Sequence, residues 1–267
     1  MKPKAFTICG VLSVLLFLNS CSPFLLIQGD GDLVTQEINI DDYTGIKASN
    51  SSIDIMYVQS DEAPTLTVTT DRNILEKYDI RVREGKLRIE PEDKYEHALF
   101  KPTKFIVTTN STSLRKIDVS GSINFTVDRP LRTDDLEIDL AGSGRVNLND
   151  SVIVDKLDID IAGSGTLNAF AVEGNSFDGD IAGAGRLNLG GQMTRASFDI
   201  AGSGTIRAFD FQVEEMKCDI AGSGNIEISV SHSINAQIAG SGRIKYKGNP
   251  SHIKKDVAGS GSIKKMD

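Results

Sequence analysis

The six-residue segment Asp139-Leu140-Ala141-Gly142-Ser143-Gly144 returns almost unchanged at Asp160 to Gly165, Asp180 to Gly185, Asp199 to Gly204 and Asp219 to Gly224. Two further copies begin at Gln237 and Asp256, and a weaker one, Asp118-Val119-Ser120-Gly121-Ser122, precedes the set. Successive copies start 21, 21, 20, 19, 20, 18 and 19 residues apart. So regular a period means one supersecondary unit laid down again and again. Each copy sits in an alternating context: Leu136, Ile138 and Leu140 are apolar while Glu137 and Asp139 between them are acidic, and Arg145, Val146, Asn147 and Leu148 alternate again after the glycines. Period two is the signature of a half-buried strand, so the unit reads as strand, tight Gly-rich corner, strand and looser return. Glycine suits the corner because it adopts positive φ and carries no Cβ where coils crowd together.

A unit of about 20 residues cannot bury its apolar stripe alone. Stacked at ~4.8 Å per coil, the inward Leu, Ile and Val columns merge into one core. A meander of hairpins is the competing arrangement. It would point alternate copies in opposite directions, against the single polarity of the repeat. The expected fold class is therefore all-β, a parallel β-helix or β-solenoid, right-handed by the usual crossover preference. Residues 115–267 hold the regular repeats, and 33–114 form a more irregular β-rich first part. There Ile53 to Val58, Leu66 to Thr70, Ile80 to Val82, Leu87 to Glu90 and Phe105 to Thr109 read as strands, with Glu84-Gly85-Lys86 as a turn and Ile74 to Tyr78 as a helical turn. Ala48-Ser49-Asn50-Ser51-Ser52-Ile53 reads as a worn corner, making this part the first coils with longer excursions.

Residues 1–20 read as a signal peptide. Lys2 and Lys4 precede an apolar run from Ala5 to Leu18, too short to span a bilayer, and Leu18-Asn19-Ser20-Cys21 follows. That end resembles a lipobox, which implies cleavage before Cys21 and acylation of Cys21. Residues 21–32, with Gly29-Asp30-Gly31-Asp32, read as a tether. Cleavage removes two lysines and no acids, taking the net charge from −8 to −10. So acidic a chain is a poor partner for nucleic acid or an anionic membrane face. Cys9 leaves with the signal and Cys21 takes the lipid, so Cys218 has no disulfide partner and stability rests on burial and hydrogen bonding.

The Asp-hydrophobic-Ala-Gly-Ser-Gly repeats, behind a lipoprotein signal and an irregular β-rich first half, resemble the putative auto-transporter adhesin head GIN domain family over about Ile38 to Ile263. The resemblance implies a right-handed β-helix-like fold exported to the envelope, an adhesive role and no catalytic residues.

The acidic column invites the closest chemical reading. Asp118, Asp139, Asp160, Asp180, Asp199, Asp219 and Asp256 share one repeat position, with Gln237 in the remaining place. Carboxylates ~5 Å apart repel by roughly 1 kcal/mol per neighbouring pair in a water-like dielectric, so something should compensate. Asp139, Asp160, Asp180, Asp199 and Asp219 are candidate ligands for a row of Ca²⁺ ions, a hard cation that prefers oxygen. The structural alternative is preferred here: each carboxylate accepts hydrogen bonds from N–H groups or the hydroxyl of its own corner. A phosphate cradle at the corner lacks both the following Lys-Ser/Thr and a helix N-terminus. Arg145, Arg186 and Arg243 share the position after the corner and read as a solvated face, or as a grip for acidic glycans. His97, His232 and His252 are far apart in sequence; only the last two share a phase. Pairs such as Asp158 with Asp160 or Asp178 with Asp180 could mimic a glycosidase or lyase site, but their recurrence fits solvated positions better. Phe170, Phe177, Phe198, Phe209 and Phe211 read as stacked core, and the chain has no Trp for a sugar platform.

These readings converge on a non-catalytic cell-envelope lipoprotein, an adhesin or surface binding or scaffold module. It is expected at the outer membrane, held in the bilayer by its acyl anchor, with a glycan or protein ligand and no cofactor. A polysaccharide-processing lyase or hydrolase on a β-helix, and a calcium-stabilised binding module, are the alternatives.

Overall fold

In the computed structural model, which describes residues 25–266, the repeats stack in register. Asp135–Gly142 pairs parallel with Lys156–Gly163, which pairs with the next coil, and so on to His252–Gly259. The signal peptide and Cys21 lie outside the described residues. Strand makes up 69% of the described residues and helix 3%, in a β-solenoid of about eight turns. The columns are those that alternation predicts. Leu140, Ile161, Ile181, Ile200, Ile220 and Ile238 are in mutual register, each 2% exposed or less. Leu136, Leu157, Phe177, Ala196, Met216 and Ile234 form a second buried column. Phe177 touches Phe198 and Phe211 at centroid distances of 5.3 and 5.6 Å.

The corner follows from stacking. Gly222 has φ +130°, and a Cβ there would sit 2.4 Å from the carbonyl oxygen of Gly202 in the coil before. The same carbonyl accepts the N–H of Ser223 at 2.8 Å, so the inter-coil hydrogen bonding continues around the bend. The second glycine has a different reason. A Cβ on Gly224 would lie 2.7 Å from Cγ2 of Ile200. Ala-Gly-Ser-Gly is thus the imprint of close coils on a turn, with one glycine set by the backbone and one by the isoleucine column.

The first half is woven differently from a simple run of early coils. The worn corner is real: Asn50 takes φ +81° there and its N–H donates to the Ser120 carbonyl. Gly45–Ala48 pairs with Lys116–Gly121 on one side, and Asp54–Gln59 pairs with Asn124–Val127. On the other side the same two strands pair with Lys86–Pro91 and Phe105–Ser111, which come later in the chain. Residues 60–111 therefore double back beneath the coil that precedes them. This outer layer is covered by antiparallel strands, Tyr78–Arg83 on Lys86–Pro91, Leu66–Asp71 on Phe105–Ser111, and Leu33–Glu37 on Leu66–Asp71. Antiparallel closure covers the end of the stack against further pairing. Of its three buried tyrosines, Tyr43 is bonded to Thr109 Oγ1 at 2.7 Å and Tyr57 to Ser111 Oγ at 2.9 Å, while Tyr78 packs edge-on to Phe100 and Phe105. Burial pushes the Tyr57 phenol up to about 12 and the Tyr43 phenol higher still.

The expected tether ends earlier than Asp32. Leu26–Gln28 pairs parallel with Leu99–Lys101, and buried Ile27 and Phe100 face inward together. Buried Asp71 then clasps the segment, accepting the Gly31 N–H at 2.8 Å and the Thr103 N–H at 2.7 Å. Burial alone would raise its carboxyl. The hydrogen bonds from Thr103 and Gly31 outweigh that and hold it below the ordinary value.

Candidate functional site

Three long surfaces run along the stack, one for each segment of the coil. The first carries the acidic columns. Asp118, Asp139, Asp160, Asp180, Asp199 and Asp219 stand in register, one per coil, followed by Gln237 and Asp256. Beside them runs Glu137, Asp158, Asp178, Ser197 and Lys217. The expected corner capping is absent. Among the described residues no backbone N–H or serine hydroxyl is bonded to the carboxylates of Asp139, Asp160, Asp180, Asp199 or Asp219. The reason is on the corner: its N–H groups are already spent on carbonyls of the coil before, Ser203 on Gly183 and Thr205 on Gly185, for example. That expenditure also leaves no cradle for phosphate. Lysines compensate in part: Lys116 reaches Glu137 at 2.6 Å and Asp139 at 2.8 Å, Lys156 reaches Asp158 at 2.6 Å, and Lys217 reaches Asp219 at 3.2 Å. Between them desolvation first, then neighbouring carboxylates, raise the carboxyls of Asp160, Asp178 and Asp180 above the ordinary value. Among the described residues no three His, Cys, Asp or Glu side chains converge as metal ligands.

The second surface holds Arg145, Thr166, Arg186, Thr205, Asn225, Arg243 and Ser262 in one column, so the arginines are interrupted rather than contiguous. Next to it Asn147, Asn168 and Asn188 form a ladder, each side-chain amide donating to the asparagine before, at 2.8 and 2.7 Å.

The third surface, along the returns, is concave. A groove of about 790 Å³ crosses five successive coils through Ile153, Glu173, Gln192, Gln212 and Ser229, which are in register. At ~4.8 Å per coil it is roughly 20 Å long. Its floor is apolar and buried, with Val154, Met193, Val213 and Val230. Thr194, Glu214 and Ser231 stand on the far side of that floor. Among the described residues no lysine, arginine or histidine lines it. Close packing makes the depression: a Cβ on Gly174 would meet the Val154 carbonyl oxygen at 2.0 Å. Two phenylalanines of the same coils lie outside the lining of the groove. Phe170 is 64% exposed, contrary to the expectation that all five repeat-region phenylalanines are core. Phe209 is partly exposed, holds the groove residue Ser229 through its carbonyl at 2.7 Å, and has Lys247 Nζ 4.7 Å from its ring centre.

A model of the family described as putative auto-transporter adhesin, head GIN domain, matches residues 42–170 and 141–250, well over half of the chain. The chain belongs to this head GIN domain family. A crystal structure of a putative lipid binding protein from Parabacteroides distasonis is 38% identical to this head GIN protein. It superposes with a TM-score of 0.87 over 91% of this chain and all of its own. Putative adhesins from Parabacteroides merdae and P. distasonis are each 32% identical. Their TM-scores are 0.82 and 0.80, over 91% and 90% of this chain and 99% and 100% of theirs. No curated protein matches.

Within this head GIN domain the remaining candidates are scattered. His232 and His252 do come together, with ring centres 5.6 Å apart on neighbouring coils, while His97 lies in the excursion of the first half. Asp158, Asp160, Asp178 and Asp180 lie on the acidic surface, and none of them lines the groove. The groove itself has no repeated sequence signature, and the register shifts at Ala169/Val172, Asn188/Gly190 and Ala208/Gln212 fall beside it. Repeat lengths of 18 to 21 residues are absorbed there. No helix among the described residues is long and apolar enough to cross a membrane.

Proposed function

We propose that this head GIN protein is a non-catalytic binding module of the bacterial envelope, tethered to the outer membrane by acylation of Cys21, which holds an extended, uncharged glycan in the groove along its returns. The groove carries the proposal. Side-chain amides, hydroxyls and methylenes along an open groove match the alternating apolar and hydroxylated faces of sugar rings. Its two carboxylates without a balancing cation disfavour acidic chains. A polar side chain on each of four successive coils, Glu173, Gln192, Gln212 and Ser229, offers a repeating contact to a repeating polymer. The groove is open and half polar, which suits a sugar chain better than a buried acyl chain. The adhesive descriptions of its relatives agree with a surface role, and the lipid binding description of one fits the acyl-anchored end better than the groove.

A glycan array followed by titration of the best neutral oligosaccharide tests the proposal. Gln192→Ala with Gln212→Ala should weaken binding by roughly tenfold or more through lost hydrogen bonds, whereas Asp180→Asn on the opposite surface leaves it unchanged. Unaltered affinity in the double variant would remove the groove from consideration. Release of reducing or unsaturated sugar ends from the bound chain would replace the binding module by an enzyme. Separately, Cys21→Ala should release the protein from membranes, and metabolic acyl labelling should mark the wild type alone.

A further inference from the structure

At the capped end of the solenoid, three leucines stand in water side by side. Leu25 is 54% exposed, Leu26 58% and Leu99 52%. Leu26 and Leu99 are register partners in a parallel pair, so their side chains share one face, and the Leu99 N–H donates to the Leu25 carbonyl at 2.8 Å. Two positions further along the same face, Gln28 pairs with exposed Lys101, and Lys104 is exposed beyond it. Of the carboxylates around the clasp, Asp71 is buried on the Gly31 and Thr103 N–H groups and Asp32 is engaged by Arg72 at 2.7 Å, while Asp30 is exposed. A basic rim beside bare leucines is unusual on a chain with net charge −8.

We propose that the face of Leu26 and Leu99, with exposed Leu25 beside it and Lys101 and Lys104 beyond, rests in the headgroup region of the bilayer and sets the orientation of the solenoid. The inference depends on acylation at Cys21. Only residues 22–24 separate that cysteine from Leu25, a reach of at most about 14 Å even fully extended. From Leu26 onward the segment is fixed to the domain by its strand pairing and by the Asp71 clasp. An acyl chain in the membrane therefore keeps the leucines within about 14 Å of the anchoring cysteine at the interface. Burying apolar surface there is favourable, while long lysine side chains extend to the phosphates. Lipid is the occupant that the covalent geometry delivers to this face.

The absence of any native Trp permits a clean optical test. The acylated full-length protein carrying Leu99→Trp, or alternatively Leu26→Trp, is reconstituted into vesicles of phosphatidylethanolamine and phosphatidylglycerol containing phosphatidylcholine brominated near the glycerol. Phe170→Trp on a distant coil serves as the comparison, and flotation of the wild type with the same vesicles is scored in parallel. The expected result is flotation, with most of the emission at position 99 or 26 quenched and shifted to the blue, and emission at position 170 unaffected. Flotation without quenching at either leucine position overturns the membrane face while leaving the anchor standing. Equal quenching at position 170 overturns it too, because the domain then has no fixed orientation. Failure to float removes the anchor, and the membrane face with it.

Discussion

Asp180 shows how a repeated residue acquires a property that a single copy lacks. Alone on a strand it would be an ordinary surface carboxylate; in the stack it faces Asp160 and Asp199 in register, and its carboxyl is raised by desolvation and then by Asp178, Asp199 and Asp160. A carboxyl raised on folding binds more protons in the folded chain, so stability falls as pH rises through that window. Asp180→Asn should therefore stabilise at neutral pH, by about 0.5–1 kcal/mol for an exposed pair. The gain should shrink as pH falls through the raised value towards the ordinary carboxylate range, and shrink in molar salt. Melting curves across pH check this, and a destabilised mutant at neutral pH would point to a capping partner instead. Ile200 makes the opposite case. It is 2% exposed in mid-column, and Ile200→Ala should cost about 2–4 kcal/mol in denaturant titration through lost burial and a cavity. Gly222→Ala should be comparably severe, because the new Cβ meets a carbonyl oxygen at 2.4 Å and φ is +130°.

Elements divide by how far their identity was legible. Strands flanking the corners announce themselves by period-two alternation, and Leu136, Ile138, Leu140, Val146 and Leu148 face inward as that pattern requires. The strands of the first half were legible as strands too, but not their order. Nothing local in Lys86–Pro91 or Phe105–Ser111 says that they pair with segments 41 and 52 residues earlier. The groove was illegible for another reason. Glu173, Gln192, Gln212 and Ser229 differ in type, and shifting register spoils their spacing, so no pattern links them until the coils are stacked. The acidic ladder was visible as a column, whereas its partners were not, because the corner N–H groups that should have served it are consumed between coils. The clasp at Asp71 yields its own prediction. Its carboxyl is lowered on folding, so the stability it contributes is present at neutral pH and is lost as pH falls through the ordinary carboxylate range and below. Asp71→Asn should lower the melting temperature at neutral pH and match wild type in strong acid.

The two ends of the stack are unlike each other. One is closed by antiparallel strands and holds the tyrosine network. At the other, His252–Gly259 and Ser262–Lys265 pair on one side only among the described residues, and Ile253 and Val257 are 43% and 39% exposed. Lys254, Lys255, Lys264 and Lys265 lie on this open coil, a charge density that discourages edge-to-edge association. Hydrogen exchange should accordingly rise steeply across 252–265, with the slowest amides in the central coils between Lys156 and Gly222. Uniform protection along the whole stack would mean that the open coil is covered in solution.

The corner hydrogen bond carries a consequence for how such a chain changes over generations. Each coil offers the next the same glycine carbonyl and the same isoleucine ridge, whichever coil it happens to be. Duplicating or losing one whole unit of DNA-encoded repeat leaves both neighbouring joints as they were, since the joints are interchangeable. What changes is only the count. The ruler along the returns lengthens or shortens by one rung of ~4.8 Å, so gene slippage alone tunes how many units of a polymer the protein spans, without redesigning the corner joint.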